Sequence, residues 1–189
     1  MRFAIRAIGL TTALFAATIG YAEGVGDKGQ GYLSPGIVIY EGPDASNIGY
    51  DDHEAGPGLI LGYNMTERWA IEFLVARTES EFSNYGGQGE DDIDLRWLDF
   101  AYKLNGGEDW QPFVLFGGGR SKYSFENLRD DAVDHQFNVG LGVLGALGER
   151  FAVRADLRAV STAKGGAPTA MAFVGLTGFI GPAAAPPPP

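Results

Sequence analysis

The chain has 189 residues and a formal net charge of −10 at pH 7, with 24 Asp and Glu against 14 Lys and Arg. This acidic balance argues against a nucleic-acid partner, which would require clustered Lys and Arg. The sequence contains no cysteine, which excludes disulfide bonds and thiolate metal sites.

The N-terminus has the anatomy of a secretory signal peptide. Two arginines in the first six residues precede an apolar stretch over residues 7–19, and small residues at positions 20 and 22 offer a cleavage site. The apolar stretch is shorter than the about 20 residues that a membrane-spanning helix needs. We therefore expect a signal peptide over residues 1–22, a folded domain over residues 23–181 and a Pro/Ala-rich linker or tail over residues 182–189.

Eight short runs rich in aromatic and β-branched residues follow the signal peptide. Each has about the 9–11 residues that a tilted strand needs to cross a bilayer. Because no apolar stretch is long enough for a transmembrane helix, only a closed barrel could cross a membrane. The runs are Gly31–Tyr40, Gly56–Tyr63, Arg68–Arg77, Ile93–Lys103, Gln111–Gly119, His135–Ala146, Arg150–Val160 and Thr169–Ile180.

The connections between the first seven runs alternate between long and short. The long ones cover residues 41–55, 78–92 and 120–134, and the short ones cover 64–67, 104–110 and 147–149. This alternation is typical of up-and-down barrels of the bacterial outer membrane, which have long external loops and tight periplasmic turns. The sequence therefore predicts an all-β, eight-stranded antiparallel transmembrane barrel, and the even strand number places both termini in the periplasm.

Side-chain alternation predicts which face of the barrel meets lipid. Large apolar residues share one face of the third and sixth runs, and small or charged residues share the other face. The predicted lipid-facing residues are Trp69, Ile71, Phe73, Val75, Phe137, Val139, Leu141 and Val143. Aromatic residues beside the short connections predict an interfacial girdle of Trp69, Tyr102, Trp110, Phe113 and Phe151.

The opposite face carries charged residues that would meet inside the barrel. An eight-stranded barrel is just wide enough for its own side chains, so interior charges must pair. We expect a charge-balanced lumen network made of Glu72, Asp99, Arg154, Asp156 and Arg158. Such a network is interpreted as a plug that holds the barrel together, with a gate across a narrow pore as the alternative.

No metal site, cofactor or catalytic centre is predicted. Residues 41–54 hold five carboxylates, but their spacing does not match a calcium loop, and solvated external loops explain them. The two histidines, His53 and His135, lack the sequence context of the known barrel enzymes. We therefore expect the protein not to be an enzyme.

Several segments resemble the N-terminal transmembrane barrel of OmpA-like outer-membrane proteins. The resemblance covers about Gly31 to Gly181, and the segments that carry it are Gly31–Gly36, Asp51–Asp52 ahead of Gly56–Tyr63, Arg68–Glu72, Gln111–Gly119 and Phe151–Arg158. The resemblance implies an outer-membrane location, with lipid, lipopolysaccharide and the outer-membrane assembly machinery as partners. In that family a Pro/Ala-rich hinge leads to a peptidoglycan-binding domain, so contact with peptidoglycan would require a domain beyond residue 189.

Three functions remain open on the sequence. The favoured one is a structural membrane anchor with, at most, narrow passive pore activity. The second is an adhesin or receptor that binds partners through its long acidic loops. The third is a soluble lipocalin-like carrier, which would not depend on detergent.

Overall fold

The computed structural model describes residues 26–40, 54–84, 87–104, 109–125, 132–163 and 168–181. The predicted signal peptide and the Pro/Ala-rich tail lie outside these residues. Within the described segments, there is no helix of the length and apolarity needed to cross a bilayer.

Eight antiparallel strands form a closed barrel in which each strand pairs with the next and β1 pairs with β8. Closure leaves no edge strand, so every strand has a partner on both sides. The predicted fold class is thus confirmed. The strands are β1 (Gly31–Tyr40), β2 (Glu54–Asn64), β3 (Trp69–Asn84), β4 (Gly87–Lys103), β5 (Trp110–Phe125), β6 (Ala132–Ala146), β7 (Phe151–Thr162) and β8 (Thr169–Ile180).

The prediction of a long loop over residues 78–92 is wrong. Strands β3 and β4 stay paired to the register Asn84↔Gly87, so only residues 85 and 86 separate them. The same extension occurs between β5 and β6, which pair as far as Tyr123↔Ala132. Residues 79–84 and 87–92 are mostly polar and show no apolar alternation from which a strand could be predicted, although their backbones form the ladder.

The opposite end of the barrel has tight turns. The side chain of Thr66 accepts a hydrogen bond of 2.8 Å from the backbone nitrogen of Trp69, which fixes the β2–β3 turn. In the β6–β7 turn, the backbone nitrogen of Leu147 donates to the carbonyl of Phe151 at 2.8 Å, and Gly148 has φ +131°. A side chain would be strained at that φ. We call this the turn end of the barrel and the opposite end the loop end.

The barrel interior as a candidate functional site

The outer surface of the barrel is an apolar belt. All eight residues predicted to face lipid lie on this surface, either exposed or half-buried, and Leu141 is 65% exposed. A monomeric soluble protein rarely exposes so continuous an apolar surface. The belt therefore has the chemistry of a surface in contact with hydrocarbon. In a soluble carrier the arrangement is the opposite, because the large apolar residues line the internal cavity.

Four of the five predicted girdle aromatics lie on the outer surface. Trp69 and Tyr102 pack with their ring centroids 4.8 Å apart, and Trp110 and Phe151 are exposed. The prediction is wrong for Phe113, which is 3% exposed and points into the barrel. Both faces of β5 carry large apolar residues, so alternation could not assign its inner side.

Arg154 is the centre of the interior charge network. Its guanidinium donates two hydrogen bonds to Glu72, of 2.7 and 2.9 Å, and one of 2.8 Å to Asp156. Its Cζ atom also lies 4.8 Å from the centroid of the Phe113 ring. All three charged side chains are buried, so water does not screen their attraction as it would at the surface.

Arg158 continues the network across the barrel. It donates to Asp156 at 2.7 Å and to the Oδ2 atom of Asp99. The Oδ1 atom of Asp99 accepts a 2.8 Å hydrogen bond from the side-chain amide of Asn138. Strand register explains the meeting, because Glu72 pairs directly with Asp99. The structure thus brings together all five residues predicted for the lumen network.

Two further residues, Tyr32 and Asn138, belong to the network. The Tyr32 hydroxyl donates to Glu72, whose other partner is Arg154. Asn138 has a sequence signal, since it alternates with apolar residues on β6. Tyr32 has none, because the apolar residues of β1 do not separate by face.

The expected charge balance is not reached by these five residues. Three carboxylates face two guanidiniums, which leaves one formal negative charge. A further buried cation, Lys103, lies at the turn end and donates through its ammonium group to the backbone oxygen of Gly26.

The segment before β1 covers the turn end of the barrel. The backbone nitrogen of Gly29 donates to Asn64 at 2.8 Å, and the nitrogen of Asn64 donates to Gln30 at 2.9 Å. Gly26 is buried, and a β-carbon added there would lie 3.0 Å from the ammonium of Lys103. Sequence reasoning did not predict this cover, because the segment has neither periodicity nor a motif.

An apolar layer fills the interior on the loop-end side of the charge network. Leu74 pairs with Trp97, and this pair lies two residues nearer the loop end than the pair of Glu72 and Asp99. The layer consists of Val38, Tyr40, Ile60, Leu74, Ile93, Leu95, Trp97, Val160 and Met171, all of them buried. Layer and network together pack the interior as a core does.

Interior glycines make room for the large side chains. A β-carbon on Gly62 would lie 2.0 Å from the Tyr32 ring, and one on Gly142 would lie 2.4 Å from the Phe113 ring. Both distances are far below van der Waals contact. The small residues on the inner face are therefore part of the packing, since each one lies beneath a bulky neighbour.

The features considered for metal binding and catalysis do not converge in the described part of the chain. No group of three potential ligands among His, Cys, Asp and Glu occurs there. His53 and the acidic segment 41–53 lie outside the described residues. His135 lies on the outer surface, where it is exposed.

Comparisons with known proteins agree with this architecture. The family model of the outer membrane protein beta-barrel domain matches residues 9–176, and no curated protein matches the chain. Solved structures of similar fold include the attachment invasion locus protein Ail of Yersinia pestis, with 16% identity, TM-score 0.57 and coverage of 81% of this chain and 99% of Ail. The outer membrane protein OprG of Pseudomonas aeruginosa has 14% identity, TM-score 0.59 and coverage of 84% and 99%. Neisserial surface protein A has 12% identity, TM-score 0.57 and coverage of 82% and 99%.

The structural likenesses show the fold, and the family match covers most of the chain. Together they confirm the resemblance inferred from the sequence motifs. The chain belongs to the outer membrane protein β-barrel domain family, and its location is the outer membrane.

Proposed function

We propose that this protein is a structural anchor of the outer membrane whose interior is a plug that does not conduct. The observation that carries the proposal is the filled interior, in which a paired charge network lies directly beside an apolar layer. Water and ions pass through a barrel only where the lumen is open and polar. A lumen of eight strands filled in this way supports an anchor better than a pore.

The plug and the gate make different predictions for the substitution Arg154→Ala. In a plug, Phe113 and Phe173, whose rings lie 4.8 and 5.8 Å from the guanidinium carbon, stay in place and keep the lumen closed. In a gate, loss of the central cation opens a path.

The deciding measurement is single-channel current in planar bilayers for the wild-type protein, Arg154→Ala and the control Arg150→Ala. Arg150 is exposed at the turn end, so its replacement removes the same charge outside the lumen. We expect no sustained current from any of the three. A folded Arg154→Ala protein that conducts strongly would make this protein a regulated pore.

We further propose that the loop end faces the cell exterior and that both termini lie in the periplasm. Because the chain has no cysteine, one introduced thiol is a unique label. Tyr85→Cys should react with an impermeant reagent on intact cells, and Gly106→Cys should react only after lysis. The reverse pattern would invert the proposed orientation.

The partners that we propose follow from the belt and the location. Lipid and lipopolysaccharide would surround the apolar belt, and the outer-membrane assembly machinery would insert the barrel. Contact with peptidoglycan would need a domain beyond residue 189.

One observation supports the alternative function of an adhesin or receptor. Strands β3 and β4 form a hairpin whose ladder continues to Asn84↔Gly87, and residues 79–92 contain five carboxylates. A basic partner would complement that charge. Ail, whose name refers to attachment and invasion, has been solved with a heparin analogue, but a polyanion would be repelled by this hairpin.

Deletion of residues 80–91 separates the two functions. If the protein is an anchor, the deletion variant should still be assembled in the outer membrane at wild-type levels and should leave the integrity of the cell envelope unchanged. If the deletion variant is assembled normally but no longer binds a basic partner surface, the result would favour the receptor function.

A further inference from the structure

Three basic side chains form a row on the outer surface, at the loop-end border of the apolar belt. Arg96 pairs directly with Arg120, and Arg120 pairs directly with His135. All three are exposed and lie on the outward phase of β4, β5 and β6. We call these three residues the basic row. The direct pair of Arg96 and Arg120 is unfavourable by itself, because like charges directly opposite each other on neighbouring strands repel.

The next row toward the loop end is built differently. There Asp94 lies between two cations, since it pairs with Arg77 on one side and with Lys122 on the other. In the basic row, by contrast, no ion pair is found for Arg96 or Arg120 among the described residues. An anion bound between the two guanidiniums would relieve the repulsion between these arginines.

An apolar groove begins immediately beneath the basic row. Gly118 lacks a side chain between Leu98 and Phe137, with which it pairs on either side. The resulting depression has a volume of about 660 Å³, and Phe73 closes its side while Arg96 and Arg120 line its upper edge. The groove therefore combines two adjoining features, which are positive charge at its loop-end edge and an apolar surface that continues toward the turn end.

We propose that the basic row binds a phosphate of lipid A, the phosphorylated glycolipid of the outer leaflet, with one acyl chain lying in the groove over Gly118. A phosphate at the membrane interface would be shared by both arginines, which form strong charge-assisted hydrogen bonds. The acyl chain fits the exposed apolar faces of Leu98 and Phe137. This inference rests on the proposed orientation, because lipid A occupies only the outer leaflet.

The test measures how much lipid A stays bound to the barrel in detergent micelles, by native mass spectrometry. The variant Arg96→Gln/Arg120→Gln removes two charges from the basic row. The control Arg68→Gln/Arg150→Gln removes two exposed charges at the turn end. Near a membrane surface each basic residue contributes about 1 kcal/mol of attraction for anionic lipid, so the first variant should bind lipid A about thirtyfold more weakly.

Equal weakening in the control would refute the site, because it would show attraction to total charge only. Dephosphorylated lipid A should bind the wild-type protein as weakly as phosphorylated lipid A binds the row variant, and equal retention of the two lipids would also overturn the proposal. Inorganic phosphate should compete poorly, since it cannot fill the groove. Full displacement by phosphate at matched concentration would mean that the ligand is an anion and not a lipid. Micelles have no leaflets, so failure of the orientation test by cysteine labelling remains separate from failure of this one.

Discussion

Replacing Arg154 tests whether the interior network stabilises the barrel as one unit. In Arg154→Met the side chain keeps most of its length, but three hydrogen bonds to carboxylates are lost, two to Glu72 and one to Asp156. Three buried carboxylates then face the single guanidinium of Arg158. Removing one partner of a buried pair typically costs about 3–5 kcal/mol in free energy of unfolding, mainly because the remaining charge is stranded. We expect a loss in that range.

The paired variant separates stranded charge from lost packing. Glu72→Gln alone removes the acceptor of two Arg154 bonds, and Glu72→Gln/Arg154→Met removes both partners together. Each single variant leaves a buried charge without its partner, whereas the double variant removes both partners. Its free energy of unfolding should therefore be about 2–3 kcal/mol higher than the sum of the two single effects predicts, which is at the upper end of the coupling measured between contacting residues. Arg150→Met, an exposed site at the turn end, is the matched control and should leave stability near that of the wild type.

Reversible urea unfolding in lipid vesicles, followed by tryptophan fluorescence, gives these free energies. The slope against urea should stay constant across the series, so that shifts in midpoint report stability. A cost below about 1 kcal/mol for Arg154→Met, or strict additivity in the double variant, would refute the view that the network is a paired unit.

Two further substitutions test the faces and the packing. Val139→Arg should cost about 2–4 kcal/mol in the same titration because it puts a charge into hydrocarbon, whereas His135→Arg, four residues away on the same face, should cost about 0–1 kcal/mol at the interface; equal costs would contradict the assigned depth. Gly62→Ala should cost about 1–3 kcal/mol, since its β-carbon would meet the Tyr32 ring, whereas Gly31→Ala, with no atom nearer than 3.7 Å, should be nearly neutral. Equal stability of these two variants would show that Tyr32 can move away without loss.

The sequence predicted the barrel well where each strand carries one kind of residue per face. In β7 the apolar residues alternate with Ala152, Arg154, Asp156 and Arg158, so the inward phase and the network follow from period-two alternation. Strands β1 and β8 were predicted with their observed bounds, because turn-forming residues or the barrel end delimit them on both sides.

The sequence failed where neither face contrasts with the other. The run after Arg77 is mostly polar and has no apolar alternation, so the sequence predicted a loop there, although the backbone is paired as far as Asn84. In β5 the opposite failure occurs, since Phe113 and Leu115 point inward while Val114 and Phe116 point outward. Apolar residues on both faces leave alternation without a signal.

The double apolar character of β4 has a consequence for permeation. A strand that meets lipid outside and an apolar layer inside must be apolar on both faces, as Trp97 and Leu98 are on β4. This layer lies in series with the charge network along the barrel axis. Opening the network therefore leaves Leu74, Leu95 and Trp97 across the path, and an ion would still have to shed its hydration to pass them. Conduction would require the two layers to rearrange together, so loss of Arg154 alone should destabilise the barrel without opening it.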